Sequence, residues 1–296
     1  MKKTLLLLSL AIVISCSPES KNEEENINPV IGNKLVKREY VSDNFNLEYR
    51  YSEKDLLSKI FDIQLEEEIH DVVTFKYDSN DNVVERYFES KISSYESTTI
   101  YHYDNSNRIT EAIITTSGIW TSGDYTRTTT QLFSYSDNVI TANIISHGGS
   151  ENVIILETNN SGLITKMKGN YGSSTFDYDS NGNIESIITF DNQDDLLHSH
   201  NYNYDSKPNP FYGQFASIYL PMFLDAFDDA YFGEIVYGGY LGYSFPFLKN
   251  NITATIENGD LDEKYNYSYD SADYPINVIE EYNGENYLEF DIEYYE

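Results

Sequence analysis

Cys16 is the single cysteine among 296 residues, and its neighbours give the thiol one specific chemistry. Met1-Lys2-Lys3 makes a positive start, residues 4–14 (TLLLLSLAIVI) form a short apolar run, and Ser15 precedes the cysteine. That order reads as a lipoprotein signal peptide over residues 1–15, cleaved before Cys16. The apolar run is too short to cross a bilayer as a helix. The Cys16 thiol would then carry a diacylglyceryl thioether and its freed amine an acyl chain. Several chains on one residue anchor a protein stably, at roughly 0.8 kcal/mol per buried methylene. The alternative is a core cysteine behind an unrelated leader. With one cysteine, no disulfide can form within the chain.

The other candidate chemistry is sparse. Of five histidines, only His198 and His200 are closely spaced, beside Asp191, Asp194 and Asp195. Two histidines at i and i+2 on a strand share a face and could share a metal, but no further ligand follows at a zinc-like spacing. The Asp-Ser-Asn-Gly-Asn loop at 179–183 has Gly at its fourth position and no Glu at its twelfth, so it reads as a turn and not as a calcium loop. There is no Gly-x-Ser-x-Gly elbow, no Walker loop and no dinucleotide fingerprint. With 49 acidic residues, paired carboxylates identify no glycosidase. Asp225, Asp228, Asp229 and Glu234 could line a cation site or form a solvated face. The sequence therefore assigns no catalytic, cofactor-binding or metal-binding residue, and Cys16 is its one assigned site.

Composition narrows the partners. A formal charge of −30 repels phosphate backbones and anionic headgroups, which excludes nucleic acid. The membrane is reached through the lipid on Cys16, and the remaining expected ligands are a glycan or a protein. Residues 16–34, including Lys21-Asn-Glu-Glu-Glu25, are polar and acidic without apolar periodicity and read as a disordered tether.

The rest of the chain, 35–296, must position whatever binds. It holds 28 Tyr and 15 Phe, with Asn, Asp and Gly punctuation, the composition of strands and tight turns. Phe176-Asp-Tyr-Asp-Ser-Asn-Gly-Asn-Ile-Glu-Ser-Ile187 shows a unit that recurs at Phe75, Tyr101 and Tyr267, with looser copies at Tyr49, Phe133 and Leu156, and another begun at Tyr202. Tyr51, Tyr77 and Tyr103 are spaced by 26 residues, as are Tyr178 and Tyr204. Each unit reads as two strands joined by a turn. Aromatics at i and i+2 share one strand face, so side-by-side units would stack a ladder of Phe and Tyr.

This pattern resembles the YD repeat of RHS and teneurin proteins. It looks closer still to a Bacteroidetes-type lipoprotein family built from degenerate YD-like units, with Tyr178-Asp-Ser-Asn-Gly-Asn-Ile184 the best match. The resemblance implies a β scaffold and no catalytic residues. The acidic stretch after Cys16 is similar to a surface-export signal of such lipoproteins and implies an outer membrane location on the outer face.

Pro208-Asn-Pro-Phe211 interrupts the pattern, because proline cannot donate to a sheet ladder. The insert 208–250 is apolar and aromatic. It predicts a short helical stretch near 208–236, serving either as a plug at one end of the sheet or as an exposed aromatic surface. The expected fold is all-β: an antiparallel sheet of hairpin repeats, extended or curled, carrying that insert. The expected role is a non-catalytic binding or structural module at the cell surface. An enzyme on surface polysaccharide using a carboxylate pair, and a calcium-stabilised scaffold, are the alternatives.

Overall fold

The computed structural model describes residues 34–42, 45–64, 68–120, 123–227, 245–282 and 284–296. The signal peptide, Cys16 and nearly all of the tether lie outside them, as do Asp228, Asp229 and Glu234. Eighteen strands follow in chain order: β1 (Val36–Ser42), β2 (Phe45–Tyr51), β3 (Leu57–Gln64), β4 (Glu68–Tyr77), β5 (Val83–Ser90) and β6 (Tyr95–Tyr103). Next come β7 (Ile109–Trp120), β8 (Gly123–Ser136), β9 (Val139–Ile145), β10 (Glu151–Thr158), β11 (Ile164–Lys168) and β12 (Gly172–Tyr178). The last are β13 (Ile184–Asp191), β14 (Leu196–Pro208), β15 (Asn250–Glu257), β16 (Asp260–Tyr269), β17 (Pro275–Tyr282) and β18 (Glu285–Tyr294). The helix α1 (Tyr219–Phe227) lies between β14 and β15, behind a 3₁₀ turn at Ala216–Ile218.

The turns are built by one device. At 78–82 the Asp78 carboxylate accepts the amides of Asn80 (2.8 Å) and Asn82 (2.9 Å), and Asp81 takes φ 65°. Asp104, Asn159, Asp179 and Asp270 do the same in their own turns. Ser52 uses its hydroxyl likewise. The fourth position is always left-handed, which explains the Asn, Asp or Gly found there. A seventh turn of the same design, with Asp191 accepting the amides of Gln193 and Asp195 and Asp194 at φ 64°, lies at one end of the strands. The six turns above sit together at the other end.

At that end, each strand pair not joined by a turn is latched by a phenol. Tyr77 donates to the Leu57 carbonyl (2.7 Å), Tyr103 to Val83 (2.6 Å), Tyr178 to Ile164 (2.7 Å) and Tyr204 to Ile184 (2.6 Å). Tyr135, Tyr267 and Tyr294 repeat the contact on Ile109, Ile252 and Pro275. Between β9 and β10 a threonine stands in, Thr158 reaching the Asn138 carbonyl. Burial pushes the phenols of Tyr77, Tyr103, Tyr178 and Tyr204 well above their usual range, so they remain donors.

The expected extended or curled array of repeats is overturned here, because the sheet closes. Every strand pairs antiparallel with its chain neighbours, and β1 pairs with β18 through Val36↔Tyr294 and Glu39↔Ile292. The result is an 18-stranded up-and-down barrel. An open array would leave β1 and β18 as bare edges, and mutual pairing removes both. Lys37 and Glu293 tie the seam at 2.6 Å.

The insert fixes which face is the interior. Phe211 packs on Tyr49 of β2 (centroids 5.1 Å), Phe215 on Phe75 of β4 (4.3 Å) and Phe223 on Phe176 of β12 (5.0 Å). Strands so far apart around the ring share one neighbour only if it lies inside. The Gln214 carbonyl accepts the Leu57 amide, and Ser217 accepts the Val83 amide, both beside the turns. The described part of the insert therefore fills the turn end of the barrel. An 18-stranded barrel is too wide for wall side chains alone to fill, which is why the plug carries Phe211, Phe215, Ile218, Phe223 and Phe227, all buried.

Two outcomes test this packing. Phe223→Ala should cost about 3–5 kcal/mol in denaturant unfolding, as a large aromatic deleted from a filled core. Tyr204→Phe should cost about 1–3 kcal/mol by stranding the Ile184 carbonyl. The half-buried Tyr87→Phe, which loses only a bond to the exposed Glu96, should stay within about 0.5 kcal/mol of wild type.

Candidate functional site

Alternation along the strands divides the wall. Beside inward Phe75, Lys76 points out and pairs with Glu85 (2.7 Å); beside inward Tyr265, Lys264 points out toward Glu281. Arg38 pairs with Glu48 (2.7 Å), and Asn277 bridges Glu289 and Asp291. A lipid-facing wall needs an apolar band, and a charge at its midplane costs roughly 2–4 kcal/mol. This outer wall carries its charges along the strands, so it faces water.

The interior changes character with height. Near the turns it is aromatic. Toward the other, open end, the inward positions of β14–β17 turn polar, while Ile144, Ile154 and Met167 keep β9–β11 apolar. On β14, His198 and His200 both face inward, opposite Thr189 and Ile187 on β13, their rings 5.1 Å apart. Burial holds both imidazoles below their ordinary pKa, and His200 is lowered further by its neighbour. On β15, Thr255 stands inward with its hydroxyl buried and unpartnered, as are His198 Nε2 and His200 Nδ1. On β16 and β17, Glu263 and Glu280 occupy neighbouring inward positions around Tyr265, whose hydroxyl donates to Glu263. Burial, then the charge of Glu263, pushes Glu280 up to about 7. Asp62 and Asp71 face each other on β3 and β4, and burial raises Asp62.

Glu39 is the deepest acid, 1% exposed at the closing seam. Tyr49 donates to it, yet burial dominates and pushes it to about 8. It is a neutral, hydrogen-bonded acid at neutral pH.

Such an interior can hold polar or cationic groups and exchange protons. Among the described residues no group of three His, Cys, Asp or Glu is placed to hold a metal ion. His198 and His200 are brought together but lack a third ligand. Asp191 spends its carboxylate on the amides of Gln193 and Asp195. His102 is on the outer wall, 3.8 Å from Glu111. Cys16 lies outside the described residues. Sequence reasoning missed Glu39, Glu263 and Glu280. The available signal was an acid in phase with inward apolar residues, as Glu280 is with Val278.

No protein-family model matches the chain. No curated protein matches it either. Solved structures give distant likenesses. A porin-like protein from Bacteroides vulgatus is 11% identical, over 88% of this chain and 99% of its own, with TM-score 0.43. A porin-like protein from Bacteroides uniformis is 15% identical over 70% of this chain and 93% of its own, with TM-score 0.35. A Photorhabdus luminescens Tc holotoxin pore structure gives 10% identity over 83% of this chain but 13% of that one, with TM-score 0.36. At these scores the likenesses bear no functional weight.

Glu39 makes stability pH-dependent with a definite sign. Below about 4.5 the acid is protonated in both folded and unfolded chains, and its contribution is full. Between there and about 8 only the unfolded chain ionises, so stability falls as pH rises; above about 8 nothing further is lost. In urea unfolding, Glu39→Gln should gain on wild type steadily from pH 5 to 8. A difference independent of pH would refute the buried neutral acid.

Proposed function

We propose that the chain is a lipid-anchored, non-catalytic binding module of the cell envelope. Cys16 holds it at the outer membrane, and the open end of the barrel points away from the lipid. The observation that carries this is the position of the chain ends. β1 begins and β18 finishes at the plugged end, beside the Asp turns, so the tether from Cys16 approaches there. From Cys16 to Lys34 that tether reaches at most roughly 60 Å.

The charged outer wall favours an aqueous setting, and the acidic run after Lys21 favours the outer face. The likeness to YD-type lipoproteins agrees with this placement and supplies no catalytic residue. A glycan or a protein remains the expected class of ligand, and the charge of −30 disfavours nucleic acid.

A second reading, an enzyme acting on surface polysaccharide, draws on one observation. Glu263 and Glu280 are neighbouring interior carboxylates, both raised by burial, and Glu280, raised to about 7, is suited to donate a proton. Binding is preferred because Glu263 is already engaged by Tyr265. A calcium-stabilised scaffold has less support, since Asp78, Asp104, Asp179 and Asp270 each commit an oxygen to turn amides.

Protease shaving of intact cells tests the placement. The native protein should be lost from intact cells, and Cys16→Ala should leave the membrane fraction. Protection until the outer membrane is broken would move the protein to the periplasm. Hydrolysis of an envelope glycan that vanishes with Glu280→Gln would favour the enzyme.

A further inference from the structure

The exposed large apolar side chains are unevenly spread over the barrel. Of seventeen among the described residues, twelve lie within three positions of a loop at the open end. Tyr171 and Tyr287 are the barest of the tyrosines, 67% and 72% exposed, and Ile92, Ile119, Leu196 and Leu261 stand at 60–69%. They encircle the mouth. Ile92 lies between β5 and β6, Ile119 closes β7, Tyr171 lies between β11 and β12, Leu196 opens β14, and Leu261 and Tyr287 stand near the starts of β16 and β18. At the plugged end the exposed large apolar side chains among the described residues are Val139, Ile276 and Tyr295, at only 36–42%. A concentrated apolar rim on a water-faced barrel marks an interaction surface.

The charge between these residues selects the partner. Glu96, Asp124, Glu151, Asp194, Asp195 and Glu285 are exposed along the same rim. Of the rim cations, Lys91 is neutralised by Glu89 at 2.6 Å, Arg127 lies over the Tyr125 ring, and Lys168 stands exposed at the end of β11, outnumbered by the six acids. Just inside the mouth stand Glu263, Glu280 and two imidazoles that burial keeps neutral. Bare tyrosine faces and carboxylates together suit ammonium and guanidinium groups, which pair with the acids and stack on the rings. An anionic headgroup meets like charge here, and a second copy would bring acid against acid.

Building on the reading of the barrel as an anchored binding module, we infer that the open rim docks a basic, extended polypeptide segment of a partner protein. The tyrosines and leucines supply contact area, and the carboxylates set the sign of the charge they accept.

The test uses the detergent-solubilised full chain and two dye-labelled dodecapeptides, alternating Lys-Ser and alternating Glu-Ser. The Lys peptide should bind, with affinity falling as salt rises, and the Glu peptide should not. Because an acidic protein adsorbs cations anywhere, the deciding variants leave charge unchanged. The rim triple Tyr171→Ser, Leu196→Ser, Tyr287→Ser should weaken Lys-peptide binding at least tenfold. The control triple away from the mouth, Leu132→Ser, Ile155→Ser, Ile276→Ser, at residues exposed by 37–41%, should stay within twofold. Should the rim triple melt early, the single Tyr287→Ser, at a residue 72% exposed, replaces it, with at least a threefold loss expected. Equal losses in both triples, or none at the rim, would reduce the effect to bulk charge and overturn the proposal. So would rim-dependent self-association in light scattering, or rim-dependent flotation with phosphatidylglycerol vesicles, in the absence of peptide binding. A shaved protein with an inert rim refutes this inference alone; a protected protein whose rim binds refutes the surface placement alone.

Discussion

A buried phenol donating to a strand-end carbonyl is the contact on which the rest of this barrel depends. An up-and-down sheet is joined by turns on alternate sides, so half of its strand pairs have no covalent link at any given end. At the plugged end the missing links are supplied by Tyr77, Tyr103, Tyr135, Tyr178, Tyr204, Tyr267 and Tyr294. A buried carbonyl left unpaired costs on the order of 1–3 kcal/mol, so each latch protects a group the fold could not leave bare. Burial also raises the phenols of Tyr77, Tyr103, Tyr135, Tyr178 and Tyr204, which keeps those latches protonated across the physiological pH range.

The latch carries a consequence for the two ends. With turns and phenols fixing every strand at one end, that end has defined inward aromatics for the plug to meet. Phe215 on Phe75 and Phe223 on Phe176 are such meetings. The opposite end has loops but no phenol row, and on β14–β17 its inward residues are His198, His200, Thr255, Glu263 and Glu280. One end is a packed core and the other a partly polar mouth. The chain ends leave from the packed side, which gives the molecule a direction relative to any anchor at Cys16.

The wall shows the same economy. Inward aromatics and outward ion pairs such as Lys76–Glu85 reverse the polarity of a membrane-spanning barrel. Closure of β1 onto β18 removes the edges on which a long tyrosine-rich sheet would otherwise aggregate. Glu39 sits on that seam as a neutral acid, which couples closure to pH.

Much of the local structure was legible in the residues. The recurring Tyr-Asp with an Asn, Asp or Gly four residues after the tyrosine encodes a turn whose Asp side chain caps its own amides, a short-range event read directly from spacing. The i and i+2 aromatics place one face inward for the same reason. Tertiary structure decided what no window of sequence contains. Closure joins Val36 to Tyr294 across almost the whole chain, and nothing local distinguishes an edge strand that finds its partner from one that does not. The wide ring then decided that the insert must lie inside it. Burial turned Glu39, Glu263 and Glu280 from three acids among 49 into groups with their own pKa behaviour, because desolvation depends on surroundings that only the closed barrel supplies.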